Sequence, residues 1–171
     1  MQDGPGKEEL EDGSKYDGMF RNGKKWGQGT YRWADESIYV GNWVDNNIEG
    51  EGEYRWPDGR VYKGEWKENK LHGKGVYTWP DGRMYQGEYQ NDKKHGMGAY
   101  SWPDGKCYDG MWSNGKQHGE AKFTNSKGRS KIGLWENGER IKWLDGKSSM
   151  RSKSSYPNQN SQVGFNKNNQ E

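Results

Sequence analysis

Three histidines, His72, His95 and His118, recur at intervals of 23 residues, and repeated imidazoles are what a zinc site or an acid–base pair would use. Asp58, Asp81 and Asp104 follow the same interval, and gathered carboxylates are the ligands of calcium. Cys107 offers a thiol, and Gly-x-Gly pairs such as Gly73–Gly75 resemble phosphate-binding turns in outline. The spacing argues against each chemistry. Equivalent residues of successive β-hairpins lie about 10 Å apart, two strand spacings, whereas zinc ligands converge to about 2 Å from one ion. The histidines are therefore expected to be structural. Each Asp stands alone between Pro and Gly, which is turn chemistry. Cys107 has no His/Asn pattern around it, and the glycine pairs lack the strand-to-helix setting and the Lys-Ser/Thr ending of a phosphate loop. The expectation is a chain without catalytic residues, cofactor or metal, and so not an enzyme.

The residues that would have to be positioned belong to a strict repeat. Tyr16, Tyr39, Tyr62, Tyr85 and Tyr108 are each separated by 23 residues. Two positions on stand Gly18, Gly41, Gly64, Gly87 and Gly110, and two further on Phe20, Trp43, Trp66, Tyr89 and Trp112. The second half of each unit carries Gly27, Gly50, Gly73, Gly96 and Gly119, then Gly29, Gly52, Gly75 and Gly98, with Ala121 in the last place. Tyr31, Tyr54, Tyr77, Tyr100 and Phe123 follow, and then Trp33, Trp56, Trp79 and Trp102, with Asn125 closing the series. A degenerate sixth unit begins at Lys131 and keeps Gly133 and Trp135.

Steps of two are the side-chain period of a strand. In the third unit Tyr62, Gly64 and Trp66 share one face and Lys63, Glu65 and Lys67 the other; Gly73, Gly75, Tyr77 and Trp79 return on the aromatic face while Lys74, Val76 and Thr78 point away. Trp-Pro-Asp-Gly at 56–59, 79–82 and 102–105 suits a type I turn. The Asn-containing tips, such as Lys67 to Leu71 and Gln90 to Lys94, suit tight surface turns. Regular glycine in a strand implies that something approaches the backbone there, and aromatic rings are expected over those positions. The fold class is all-β: an elongated, single-layer antiparallel meander of stacked hairpins, in which no unit folds alone.

Only 27% of the residues are hydrophobic, yet 10 Trp and 11 Tyr argue against a disordered chain. No apolar run approaches the roughly 18 residues of a membrane span. Residues 1–15 carry two bases against five acids and no apolar stretch, so a secretory leader is not expected and the mature chain should begin near Met1. The domain reading is an acidic disordered segment at 1–15, a repeat domain at 16–144 with units starting at 16, 39, 62, 85, 108 and 131, and a disordered polar tail at 145–171. Ser148, Ser149, Ser152, Ser154 and Ser155 in that tail lie among bases as candidate phosphorylation sites, and residues 141–144 are expected as an extended or helical cap. One cysteine allows no internal disulfide, which favours a reducing, cytoplasmic setting. The net charge of +2 divides into −3, +3 and +2 over the three segments, too little for a nucleic-acid footprint.

Tyr62-Lys63-Gly64-Glu65-Trp66, His72-Gly73-Lys74-Gly75-Val76-Tyr77 and Trp79-Pro80-Asp81-Gly82 together resemble a MORN repeat, over about residues 16 to 138. The departures are Trp26 and Glu49 at the His position, Ala121 at the second Gly, and a turn expected to be lost after Phe123. The resemblance implies a rod-like sheet used in protein scaffolding, in cytoskeletal and ciliary assemblies, at membrane contacts and in phospholipid-linked regulators. Similar repeats precede the catalytic domains of phosphatidylinositol phosphate kinases and of some lysine methyltransferases. The leading expectation is a non-enzymatic adaptor for a cytoskeletal or axonemal protein, docked on the aromatic face or on open strand edges. The alternative is a phospholipid-binding module, or a regulatory partner of a lipid kinase, that uses Lys24, Lys25, Lys93 and Lys94 at the tips with Arg60, Arg83 and Lys106 after the turns as a weakly basic stripe along one edge. Edge strands also suggest a homodimer.

Overall fold

Residues 2–144 are described by a computed structural model. They form β1 (Gly4–Glu9), β2 (Lys15–Arg21), β3 (Lys24–Arg32), β4 (Ile38–Val44), β5 (Asn47–Arg55), β6 (Val61–Lys67), β7 (Lys70–Thr78), β8 (Met84–Gln90), β9 (Lys93–Ser101), β10 (Cys107–Ser113), β11 (Lys116–Thr124), β12 (Ser130–Glu136) and β13 (Glu139–Trp143). Every strand pairs antiparallel with its sequence neighbours in one open sheet ordered β1 to β13. This is the expected all-β meander. The expected tail at 145–171, with its candidate phosphorylation sites, lies outside the described residues.

Two turn types alternate along the ribbon, and the sequence dictates both. At the tips, Glu68 and Asn69 have φ 48° and 63°, and Asn91 and Asp92 have φ 48° and 66°. Two consecutive positive φ values make the two-residue turn whose twist matches its strands. At the opposite ends of the strands, the Gly59 amide donates to Trp56 O at 3.0 Å and the Trp56 amide donates to Arg60 O at 2.9 Å. Gly59, at φ 87°, makes the left-handed exit.

Each hairpin also carries a bulge. Gly64 pairs with Gly75 and Trp66 with Leu71, so the return strand holds two extra residues. Gly73, at φ 56°, makes that bulge, and Glu65 accepts from the adjacent Lys74 amide at 2.9 Å.

Two expectations are corrected. Instead of the disorder expected over 1–15, Gly4–Glu9 form β1, paired with β2 from Gly4↔Phe20 to Glu9↔Lys15. The reason is visible at the repeat interval. Gly4 and Gly6 stand 23 residues before Gly27 and Gly29, and Leu10-Glu11-Asp12-Gly13 stands 23 before Trp33-Ala34-Asp35-Glu36. The Gly13 amide donates to Leu10 O at 2.9 Å, closing the same turn. β1 therefore takes the place of a return strand, in a segment that holds no aromatic residue. The turn after Phe123 is likewise kept. The Gly128 amide donates to Asn125 O and the Asn125 amide to Arg129 O, both at 2.9 Å, because Asn125 and Gly128 suffice without Trp and Pro. Residues 139–143 are extended, as β13.

Candidate partner-binding surface

The aromatic face is built from two rows of rings that differ in exposure. The inner row, Tyr16, Tyr39, Tyr62, Tyr85 and Tyr108, is at most 1% exposed although the sheet is a single layer. Four of these rings lie directly over a glycine pair. A Cβ added to Gly52 would meet the Tyr39 hydroxyl at 2.2 Å, and one on Gly75 would meet Tyr62 at 2.3 Å. Beyond the glycines each hydroxyl donates to a main-chain oxygen, as Tyr39 does to Asn42 O at 3.1 Å and Tyr85 to Glu88 O at 2.9 Å. Burial pushes the phenols up, Tyr16 to about 12. Trp43, Trp66 and Trp112 stand edge-on to these tyrosines, with centroids 5.2 to 5.6 Å away. Their indole N–H groups donate to Gly29 O, Gly52 O and Gly98 O. The expected repeat residues therefore form one interlocked face.

The outer row runs Tyr31, Trp33, Tyr54, Trp56, Tyr77, Trp79, Tyr100, Trp102, each ring 4.4 to 5.6 Å from the next. Trp33, Tyr54, Trp56, Trp79 and Trp102 remain only partly buried. Arg60 and Arg83 lie over the Trp56 and Trp79 rings at 5.2 and 5.4 Å. The ribbon thus carries a continuous ladder of rings across its strands, open to solvent in part at its tryptophans, buried at Tyr77 and Tyr100, and rimmed by guanidinium groups.

The basic stripe along one edge does not form. Connections in a meander alternate between the two sides of the sheet, so Arg60, Arg83 and Lys106 lie across the sheet from the tips that carry Lys24 and Lys93. Arg83 is held by Asp81 at 2.7 Å, and exposed Lys24 stands 3.9 Å from Asp45, pairs that contribute little in solvent. Lys93 is exposed at its tip. Strand alternation turns Lys25 and Lys94 the other way, onto the aromatic face.

Lys25 Nζ lies 5.2 and 5.5 Å from the Tyr16 and Tyr31 ring centres and 2.9 Å from Glu8 Oε2. Lys94 Nζ lies 4.6 Å from Tyr100, 4.9 Å from Trp112, 5.2 Å from Tyr85 and 5.5 Å from Trp79. Burial, and after it the charge on Arg83, push this amine down to about 8. Position 94 is equivalent to Ile48 and Leu71, both buried, but also to Lys25, Gln117 and Arg140, so the repeat carries only a weak signal of the arrangement.

Of the residues with chemical potential, the aspartates close turns. Asp58, Asp81 and Asp104 each accept from the main-chain amide two residues on at 3.1 Å. His72 and His95 are half-buried and His118 is exposed, on successive hairpins. Among the described residues no three His, Cys, Asp or Glu side chains are grouped to hold a metal. Burial pushes the Cys107 thiol up, away from the reactive thiolate.

The MORN-repeat family model matches residues 16–38, 39–59, 62–82, 85–107 and 108–128, more than half of the chain. The chain belongs to the MORN-repeat family. The matched MORN units start at the same five tyrosines that open the hairpins. No curated protein matches the chain. Among solved structures it is similar to the G-box domain of the microcephaly protein CPAP, at 14% identity over 77% of this chain and 76% of that one, with a TM-score of 0.43. It is also similar to the TCP domain of Drosophila melanogaster SAS-4, solved with a proline-rich motif of Ana2, at 16% identity over 80% and 87%, with a TM-score of 0.39. A third is the TCP10 domain of Danio rerio CPAP, solved with a STIL peptide, at 15% identity over 80% and 72%, with a TM-score of 0.35.

Proposed function

We propose that this MORN-repeat chain is a non-enzymatic adaptor that docks a protein segment on its aromatic ladder, within a cytoskeletal or ciliary assembly. The observation that carries the reading is the run of rings from Tyr31 to Trp102, in which Tyr31, Trp33, Tyr54, Trp56, Trp79 and Trp102 are only partly buried. Partly open apolar surface repeated from hairpin to hairpin marks an interaction site, and aromatic residues with arginine at the rim are the side chains that dominate protein interfaces. The cytoskeletal or ciliary setting rests on family membership. Anionic phospholipid is the weaker reading, because the basic side chains are divided between two sides and partly turned inward.

The test is native affinity purification of the full chain beside a Trp56→Ala/Trp102→Ala variant, with liposome flotation of both. A stoichiometric protein partner lost from the variant, whose circular dichroism is unchanged, supports the adaptor. Partner capture unaffected by the variant moves the contact to the strand edges. Flotation on anionic vesicles without a recurring protein partner transfers the function to membranes.

A further inference from the structure

Lys94 occupies a repeat position that holds Lys25 in unit one and turns apolar in units two and three. Ile48 and Leu71 fill the equivalent places in units two and three with apolar side chains, whereas Lys94 sets an ammonium among four aromatic rings. Ring faces attract the cation but do not neutralise it. Arg83, the nearby cation, adds repulsion and is itself held by Asp81. The acids on the flanking strands, Glu88 and Asp109, alternate onto the polar face. Among the described residues no carboxylate is paired with this amine.

The same molecule shows how such an amine is completed. Lys25 occupies the equivalent place in unit one, and Glu8, which pairs across the strands with Tyr16, reaches it at 2.9 Å on the aromatic face. In unit four the place of Glu8 is taken by Tyr77, which pairs with Tyr85. The cation is therefore retained while its carboxylate is missing. The partly buried Trp79, 5.5 Å from the amine, and Trp102, which packs on Tyr100, offer apolar contact near the charge.

We propose that Lys94 anchors a carboxylate of the docked partner: an extended peptide whose Asp or Glu side chain takes at Lys94 the place that Glu8 takes at Lys25, with apolar neighbours laid on the ladder. This rests on the adaptor reading and adds the partner chemistry. Burial from water on docking strengthens a charge-assisted contact, so the acid contributes specificity as well as affinity.

The probe is a synthetic nonapeptide amide with a central Glu, acetyl-Leu-Pro-Leu-Pro-Glu-Pro-Leu-Pro-Leu, beside its Gln counterpart. The prolines keep it extended and remove the amide donors from one of its two edges; pairing of the other edge with β1 or β13 would be the same for the Glu and Gln peptides and unaffected by Lys94→Met. Binding is read by tryptophan fluorescence and calorimetry on the full chain, on Lys94→Met, which restores an apolar residue as in units two and three, and on Lys93→Met at the exposed tip. The expected result is at least about tenfold tighter binding of the Glu peptide, lost in Lys94→Met and kept in Lys93→Met. Equal binding of the two peptides overturns the anchor and leaves docking on the ladder standing. Binding of neither overturns both the anchor and, for extended peptides, the face as the docking surface. Anionic vesicles that bind through Lys94, with no preference between the peptides, overturn it in favour of lipid.

Discussion

Glu36 sits at φ 73° in the turn position that Gly59, Gly82 and Gly105 fill in later units. A side chain in the left-handed region costs about 1 kcal/mol, and the Arg32–Glu36 pair at 3.3 Å is exposed and offsets little of it. Glu36→Gly should therefore stabilise the chain by about 1 kcal/mol in chemical denaturation, less the added entropy of the unfolded chain. Under Tyr62 the reverse holds. A methyl at Gly75 would fall 2.3 Å from the hydroxyl, and the neighbouring glycine backbone leaves the ring nowhere to move. Gly75→Ala should destabilise by about 3 kcal/mol, the upper range for overpacking, read as a lower denaturation midpoint. Charge at Lys94 gives a pH signature. The folded amine titrates at about 8 and the unfolded one near 10.5, so between these values unfolding takes up a proton and stability rises with pH. Tyr16 is pushed from 10 to about 12 and burial also pushes Tyr39, Tyr62, Tyr89 and Tyr108 up, so the unfolded chain loses these protons first and together they outweigh Lys94 and lower stability above pH 10. Denaturation at pH 7, 9 and 11 should show a rise and then a fall, and Lys94→Met should remove the rise alone. The residue pattern made Tyr62 and Gly75 legible as ring and platform, because both recur. It did not make Lys94 legible as a face residue, because its series Lys, Ile, Leu, Lys, Gln, Arg has no common chemistry.

At the scale of the element, β1 covers an edge that would otherwise be aromatic. Its Gly4 and Gly6 lie opposite Phe20 and Gly18, and Glu8 is drawn to Lys25. Gly, Pro and charge on an outermost strand discourage pairing with another chain. Removal of residues 1–13 should expose β2 and the buried rings of Tyr16 and Phe20, and light scattering should then show concentration-dependent association beyond that of the full chain. An unchanged mass would mean that β2 is protected by something other than β1. Strand type, turn type and hairpin order were readable from steps of two and from Trp-Pro-Asp-Gly. The β1 strand was not, because its glycines continue the repeat while its aromatic positions hold Glu8 and Leu10. An acidic segment without rings then has the composition of disorder.

Along the whole molecule, each strand bonds only to its sequence neighbours, so stability is a sum of unit and interface contributions. Excision of residues 62–84 should leave a folded, shorter ribbon, since Tyr85 can take the place of Tyr62 against β5. Circular dichroism should keep its shape while the denaturant m-value falls in proportion to the surface removed. Loss of all cooperative unfolding would show that the sheet behaves as one unit instead.

The period of 23 and the alternation within it determined the family, the antiparallel meander and the aromatic face, because these follow from local residue pairs repeated in register. Which cations face solvent and which enter the ring layer was decided only in three dimensions. A tip lysine at 93 and its neighbour at 94 are adjacent in sequence and on opposite faces of the sheet. Only the pairing of β9 between β8 and β10 brings Tyr85 and Trp112, from the flanking strands, to the amine of Lys94.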